Sequence, residues 1–212
     1  MHWVFRGDSP QGNVVLNFLG NPVDDLAAFA RGYHDAGKLL ARKLASPTGY
    51  RDFDGYPTLF LYRHSLELYI KAVVYRGAQL VHLLDVGRID TSKLFKSHKL
   101  SGLLPALTSV LESLNRKGDF ETPSLQSYDE FTDLVRGVDE IDPDSFTFRY
   151  PITKGRQPAV EHHTVLNAVA FAEHLDPVLA LLDGAVTGLD EEFNASAEMR
   201  YEIEQLIKGI NE

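Results

Sequence analysis

Residues 56–77, YPTLFLYRHSLELYIKAVVYRG, form a strongly apolar and aromatic run that nevertheless carries Arg63, Glu67 and Lys71 at four-residue intervals. That spacing puts all three side chains on one face of a helix. Leu, Tyr, Ile and Val fill most of the remaining circumference, which marks a helix buried at the centre of its fold. Such a chain must either turn its one charged stripe to water or enclose it and satisfy every charge internally. In the first case the i,i+4 pairs contribute a few tenths of a kcal/mol each. In the second, Glu67 holds Arg63 and Lys71 in place along a cleft suited to an anion. The neighbouring His64 points about 100° away and reads as a packed or partly exposed residue.

The surrounding pattern predicts a mainly all-α protein, a bundle of about five to six helices folding as a single domain over residues 1–212. A first helix follows Asn21-Pro22, a good N-cap and first-turn pair with Asp24 and Asp25 behind it, and stops at Ser46-Pro47. The central helix is expected to end at Gly77. A third is expected to begin near Ser97 or His98, with Pro105 kinking it unless the start lies later. Thr122-Pro123 opens a fourth, with Tyr128, Phe131, Val135 and Val138 inward. A fifth spans about 161–182, bent at Pro177. A last one spans about 194–210, with Met199, Ile203, Leu206, Ile207 and Ile210 facing the core.

Two regions break the helical pattern. Residues 1–20 alternate weakly around GDSPQG and suggest a short β-hairpin or arm. Residues 139–162 form an ordered excursion in which Phe146, Phe148, Tyr150 and Ile152 recur at period two, a short strand-like segment near 145–153. Long connections of this kind are often functional. No internal repeat is evident.

Composition narrows the function. The chain has 212 residues, no cysteine and a formal net charge of −9. Disulfides, cysteine-based metal sites and cysteine nucleophiles are therefore excluded, and a broad nonspecific nucleic-acid footprint is disfavoured. No run approaches the roughly 20 apolar residues of a membrane helix, and MHWVFRGDSP lacks the basic-then-apolar pattern of a signal peptide. A soluble, cytoplasmic protein with no membrane partner is expected. There is no phosphate-binding glycine loop, no GxSxG and no HExxH. His162-His163 is the one adjacent histidine pair and cannot point both rings the same way on a helix, so neither a metal nor a cofactor is expected.

Basic residues gather instead at Lys93–Lys99 and Arg149–His163. His98, among Lys93, Lys96 and Lys99, is either a solvated helix-start residue or an imidazole beside free helix amides, a natural anion site. Arg149 lies opposite the alternating aromatics, facing either solvent or a cleft. The candidate ligand-binding set is Arg63, Glu67, Lys71, His98, Arg149 and Tyr150.

RHSLELYIKA, followed about twenty residues after that helix by SHKLSGLL, resembles the HEPN superfamily of helical domains. The matching positions are Arg63, Glu67, Lys71, Ala72, His98 and Leu100, within about residues 22–117. Many HEPN proteins are metal-independent ribonucleases that act as dimers, with an Arg, four to six residues, then a His. By that resemblance Arg156 with His162 or His163 is the candidate catalytic set, supplying a phosphate-binding cation and a base for the ribose 2′-OH. The chain departs from the motif at Gln157 and Pro158, the latter a helix breaker. Other HEPN members lack the motif and act as nucleotide-binding or interaction modules beside bacterial defence or toxin–antitoxin partners. The resemblance thus implies a homodimeric, non-catalytic module for a nucleotide, another anionic ligand or a protein partner, with a ribonuclease as the alternative.

Overall fold

The computed structural model describes residues 14, 23–48, 51–153, 155–160 and 164–210. The chain is an all-α bundle, and the described residues form five α-helices: α1 (Leu26–Ala45), α2 (Asp52–Leu83), α3 (Leu104–Ser113), α4 (Tyr128–Ile141) and α5 (Ala168–Ile210). Among the described residues the only β pairings are two isolated bridges, Thr122 with Leu125 and Ile152 with Pro158. The expected N-terminal arm falls outside the described residues apart from Val14.

α2 is the hub. Tyr62, Leu66, Tyr69, Ile70, Val73 and Val74 are all buried and share one core cluster with apolar residues from the other four helices. Each such burial contributes roughly 1.5–3 kcal/mol. Its run passes straight through Gly77, where a stop was expected. The reason is packing: a Cβ at Gly77 would lie 2.3 Å from Val110 Cγ1 of α3, so the glycine serves close approach rather than termination. α3 begins only at Leu104, which puts Pro105 in the first turn, where its missing N–H costs nothing. α4 is capped by Ser127, whose Oγ accepts from Glu130 N at 3.2 Å while Glu130 Oε2 accepts from Gln126 N at 2.7 Å.

Three further expectations are corrected. The strand-like excursion is a set of turns: Arg149 N and Tyr150 N both donate to the Phe146 carbonyl. Phe148 is buried, whereas Tyr150 and Ile152 are exposed. The period-two pattern therefore marks alternation in a coil, not a sheet register. The last two helices are one, α5, in which Pro177 interrupts a single turn and the apolar stripe runs on unbroken. Its final stretch does not face the core: Met199, Ile203, Leu206, Ile207 and Ile210 are all exposed.

A ladder of polar rungs sets how α1, α2 and α5 pack. On α5 the dipeptide Leu-Asp recurs at 175–176, 182–183 and 189–190, a seven-residue repeat. Each leucine is buried. Each aspartate meets an α2 residue from a matching series, Tyr62, Tyr69 and Arg76. Tyr62 Oη donates to Asp176 Oδ1 at 2.8 Å, Tyr69 pairs with Asp183, and Arg76 Nε pairs with Asp190. α1 completes the rungs in reverse order. His34 Nε2 donates to Asp176 at 2.8 Å, Arg31 Nη2 to Asp183 at 2.7 Å, and Asp24 lies 3.6 Å from Arg76. α2 and α5 thus run parallel, with α1 antiparallel to both. Burial, reinforced by the aspartates, pushes both tyrosine hydroxyls well above the usual phenol range, so both stay protonated and can donate to the aspartates.

Gly77→Ala should destabilise the fold by about 1–2 kcal/mol, because overpacking against Val110 outweighs the gain in helix propensity. Gly184→Ala, in α5 with nothing near its Cβ position, should stabilise by up to about 1 kcal/mol. Urea midpoints of the two variants measure both effects.

Candidate functional site

The charged stripe of α2 is enclosed, not solvated. Arg63 is 0% exposed, and its guanidinium is held from three sides. Nη1 donates to Glu67 Oε2 at 3.0 Å, Nη2 to the His98 carbonyl at 2.7 Å and Nε to the Asp142 carbonyl at 3.0 Å. The carboxylates of Asp139 and Asp142 stand 3.6 and 3.2 Å from the same guanidinium. Asp142 Oδ2 accepts no hydrogen bond from the described residues. It pairs with Arg63 through charge alone, because the Nε hydrogen goes to the Asp142 carbonyl.

Those aspartates also fix the flanking loops. Asp139 accepts from Leu100 N at 2.9 Å and Ser101 N at 2.6 Å. Asp142 Oδ1 accepts from Phe146 N at 2.6 Å and Thr147 N at 2.8 Å. The amides ahead of α3, which the sequence offered to an anion beside His98, are therefore satisfied within the chain. His98 itself lies in an irregular segment ahead of α3, not at the helix N-terminus.

Glu67 gathers the remaining groups. Lys71 Nζ donates to Oε1 at 2.7 Å, and His98 Nδ1 reaches the same oxygen at 2.9 Å. Burial alone would raise the Glu67 carboxyl, but the bonds and charges of Lys71 and His98 prevail and hold it below the usual carboxylate range. As an ionised carboxylate it only accepts, so His98 Nδ1 is the donor and carries the proton. In a neutral ring, Nε2 is then the acceptor. It has no hydrogen-bond partner among the described residues, and the His98 side chain is 60% exposed.

Around His98 the structure brings together residues that sequence reasoning held apart. His64 stacks on Phe60 with ring centres 5.4 Å apart and meets Tyr33 edge-on at 4.5 Å. Burial pushes its imidazole below the usual range, with Arg63, Arg149 and His98 adding to the effect against Glu67. Arg149 spreads its guanidinium over Phe60 at 5.6 Å and Tyr150 at 5.8 Å. His98, Arg149 and Tyr150 of the candidate set are exposed, and both His98 and Arg149 lie close enough to act on half-buried His64, which the sequence reads as packed or partly exposed. Arg63, Glu67 and Lys71 stand behind His98 as its support. Arg156 stands apart in an exposed turn closed by the Ile152–Pro158 bridge, with φ of 60°. His162 and His163 lie outside the described residues. No group of three metal-ligating side chains occurs among the described residues, and none of the described helices is long and apolar enough to cross a membrane.

Asp139 and Asp142 were missed, although a signal existed. They fall four residues after Val135 and Val138: Asp139 on the apolar stripe of α4 and Asp142 just past its end as the C-cap, continuing that stripe, where a charge demands a partner.

Comparison with family models, with curated proteins and with solved structures finds no match.

Glu67→Ala should cost about 3–5 kcal/mol, because it strands Arg63 and Lys71 in the interior. A native-state urea melt measures this. Burial also holds the imidazoles of His34 and His64 low. At acidic pH the unfolded chain binds protons that these rings refuse when folded. Their stability contribution is thus complete above about pH 6.5 and lost as pH falls. The stability–pH slope below pH 6.5 should flatten in His34→Gln.

Proposed function

We propose that this chain is a HEPN-like module that binds a phosphate-bearing ligand, a nucleotide or a strand of RNA, and works by binding rather than by catalysis. The observation that carries this is the face formed by His98, His64 and Arg149, with aromatic rings of Phe60 and Tyr150 beside it. The Arg149 guanidinium supplies donors for phosphate oxygens, and His98 presents Nε2, which donates when the ring carries a second proton. The neighbouring aromatic faces suit a base. His98 is pre-set for the task, because Glu67 fixes its ring and Arg63 fixes its carbonyl. Lys93, Lys96 and Lys99 are all exposed nearby in the chain and add local positive charge to a molecule whose overall charge is negative.

Isothermal titration of the purified chain with adenosine monophosphate and with a short oligoribonucleotide tests this. His98→Ala and Arg149→Ala should each weaken binding roughly 10-fold or more, the equivalent of one charge-assisted hydrogen bond. Arg156→Ala should leave it unchanged. Binding that survives both face variants would overturn the assignment.

A metal-independent ribonuclease is the second reading, and one observation favours it: a buried carboxylate orienting an exposed imidazole is the arrangement of a general base. RNA cleavage in EDTA that is lost in His98→Ala would establish a nuclease centred on this face. Loss in Arg156→Ala instead would place the activity at Arg156 and His162 or His163. No cleavage by a folded wild type would leave the binding module.

A further inference from the structure

The buried network behind His98 is one positive charge short of balance. Two cations, Arg63 and Lys71, face three carboxylates, those of Glu67, Asp139 and Asp142, and all five side chains are buried. Interior charges are tolerated where they are paired, and here the carboxylates outnumber their partners. The shortfall shows locally. Asp142 Oδ2 accepts no hydrogen bond from the described residues. Glu67 Oε1 draws on both Lys71 Nζ at 2.7 Å and His98 Nδ1 at 2.9 Å.

The outer side of the His98 ring has the opposite sign. Arg149, close enough to act on the same His64 that His98 acts on, is exposed, as are Lys96 and Lys99 on either side of His98 in the chain. His98 therefore stands between an interior of net negative charge and a surface of cations. From α2 it is faced by Arg63, His64, Glu67 and Lys71, from the end of α4 by Asp139 and Asp142, and from the turns that follow by Arg149. Burial keeps the His64 imidazole neutral under ordinary conditions, which leaves His98 as the histidine of this set with a ring open to solvent. In its neutral form Nδ1–H is committed to Glu67, and Nε2 offers only a lone pair, the wrong partner for a phosphate oxygen.

Resting on the phosphate-binding reading above, we infer that this site takes up its ligand together with a proton, which comes from solution and settles on His98 Nε2, so that affinity falls as pH rises. The proton forms one N–H bond, and no bond of the ligand or the chain breaks. It does two things at once: it makes Nε2 a charge-assisted donor to the phosphate, and it supplies the positive charge that the buried carboxylates lack. The phosphate in turn offsets the repulsion that Arg149, Lys96 and Lys99 exert on a further cation among them. Each partner thus favours the other, and the coupling is reciprocal.

Calorimetric titration with adenosine monophosphate at about pH 7.5, where a phosphate monoester is already close to a dianion, counts the proton when it is run in both HEPES and Tris, whose ionisation heats differ. Between about half a proton and one proton should be taken up per ligand, and the affinity should fall at least about tenfold from pH 6.5 to pH 8.5. His98→Asn keeps a side-chain N–H near the Nδ1 position for Glu67 but has no second nitrogen, so it should bind more weakly and take up no proton. His64→Gln should still take it up. Melting temperatures recorded at each pH keep loss of fold apart from loss of binding. Wild-type binding that is flat across this range and takes up no proton overturns the inference and leaves the phosphate-binding reading standing. Uptake that survives in His98→Asn, or vanishes in His64→Gln, also overturns it by placing the proton elsewhere. No binding at any of these pH values by a folded chain overturns the reading itself, and the inference with it.

Discussion

One buried guanidinium organises this molecule. Arg63 gathers α2, the segment before α3 and the end of α4 onto a single planar group, using donors whose directions are fixed relative to one another. α3 and α4 also bury apolar residues in the core, such as Leu107 and Phe131, but the network fixes their ends. α4 is short, and both connections that flank the network are irregular, yet their backbone amides are drawn to Asp139 and Asp142, which face the same arginine. Enclosing so many charges is expensive, and a set of well-packed apolar side chains would hold the helices at least as firmly. What an apolar core could not supply is direction: here the network ends in a ring that is aimed outward.

That division of labour explains how a candidate set drawn from sequence separates into two layers. Arg63, Glu67 and Lys71 carry the charges, but burial keeps them from any ligand. His98 carries their influence to the surface, because Glu67 holds one nitrogen and thereby presents the other. Arg149 reaches the same face by a different route, laid over Phe60 and Tyr150 and anchored through Nε to the Ser145 carbonyl. The turns of residues 142–150 are fixed by Asp142, so the network behind the face and the residues on it share one support.

Much of the helical architecture was legible from residue pattern. The apolar circumference of α2, the stop at Ser46-Pro47 and the inward face of α4 all follow from local rules that the fold respects. The misreadings arise where tertiary contact overrides a local signal. Gly77 looks like a helix end because glycine ends helices, but Val110 packs against its missing side chain. The stretch between Leu182 and Asn194 looks like a break between two helices, yet buried Val186 and Leu189 carry the stripe through it and keep α5 whole. The stripe at 199–210 looks like core because periodicity reports amphipathicity and cannot report whether a partner is present within the chain. The face around His98 was half legible: the cations could be named, but their convergence depends on the path of residues 142–150, which no short-range pattern encodes.

The Leu-Asp repeat of α5 has a further consequence. Because its rungs are alike, a slide of one heptad, about 10.5 Å along the axis, would still bring Tyr62 to Asp183 and Tyr69 to Asp190. A ruler with identical marks measures spacing but not position. The absolute alignment of α1, α2 and α5 must therefore come from contacts that occur only once, such as Gly37 beneath the Tyr62 ring, Arg76 shared between Asp24 and Asp190, and Arg116 reaching Glu192 from beyond α3. In this bundle the periodic residues confer strength, and the aperiodic ones decide which of several near-equivalent alignments is the native one.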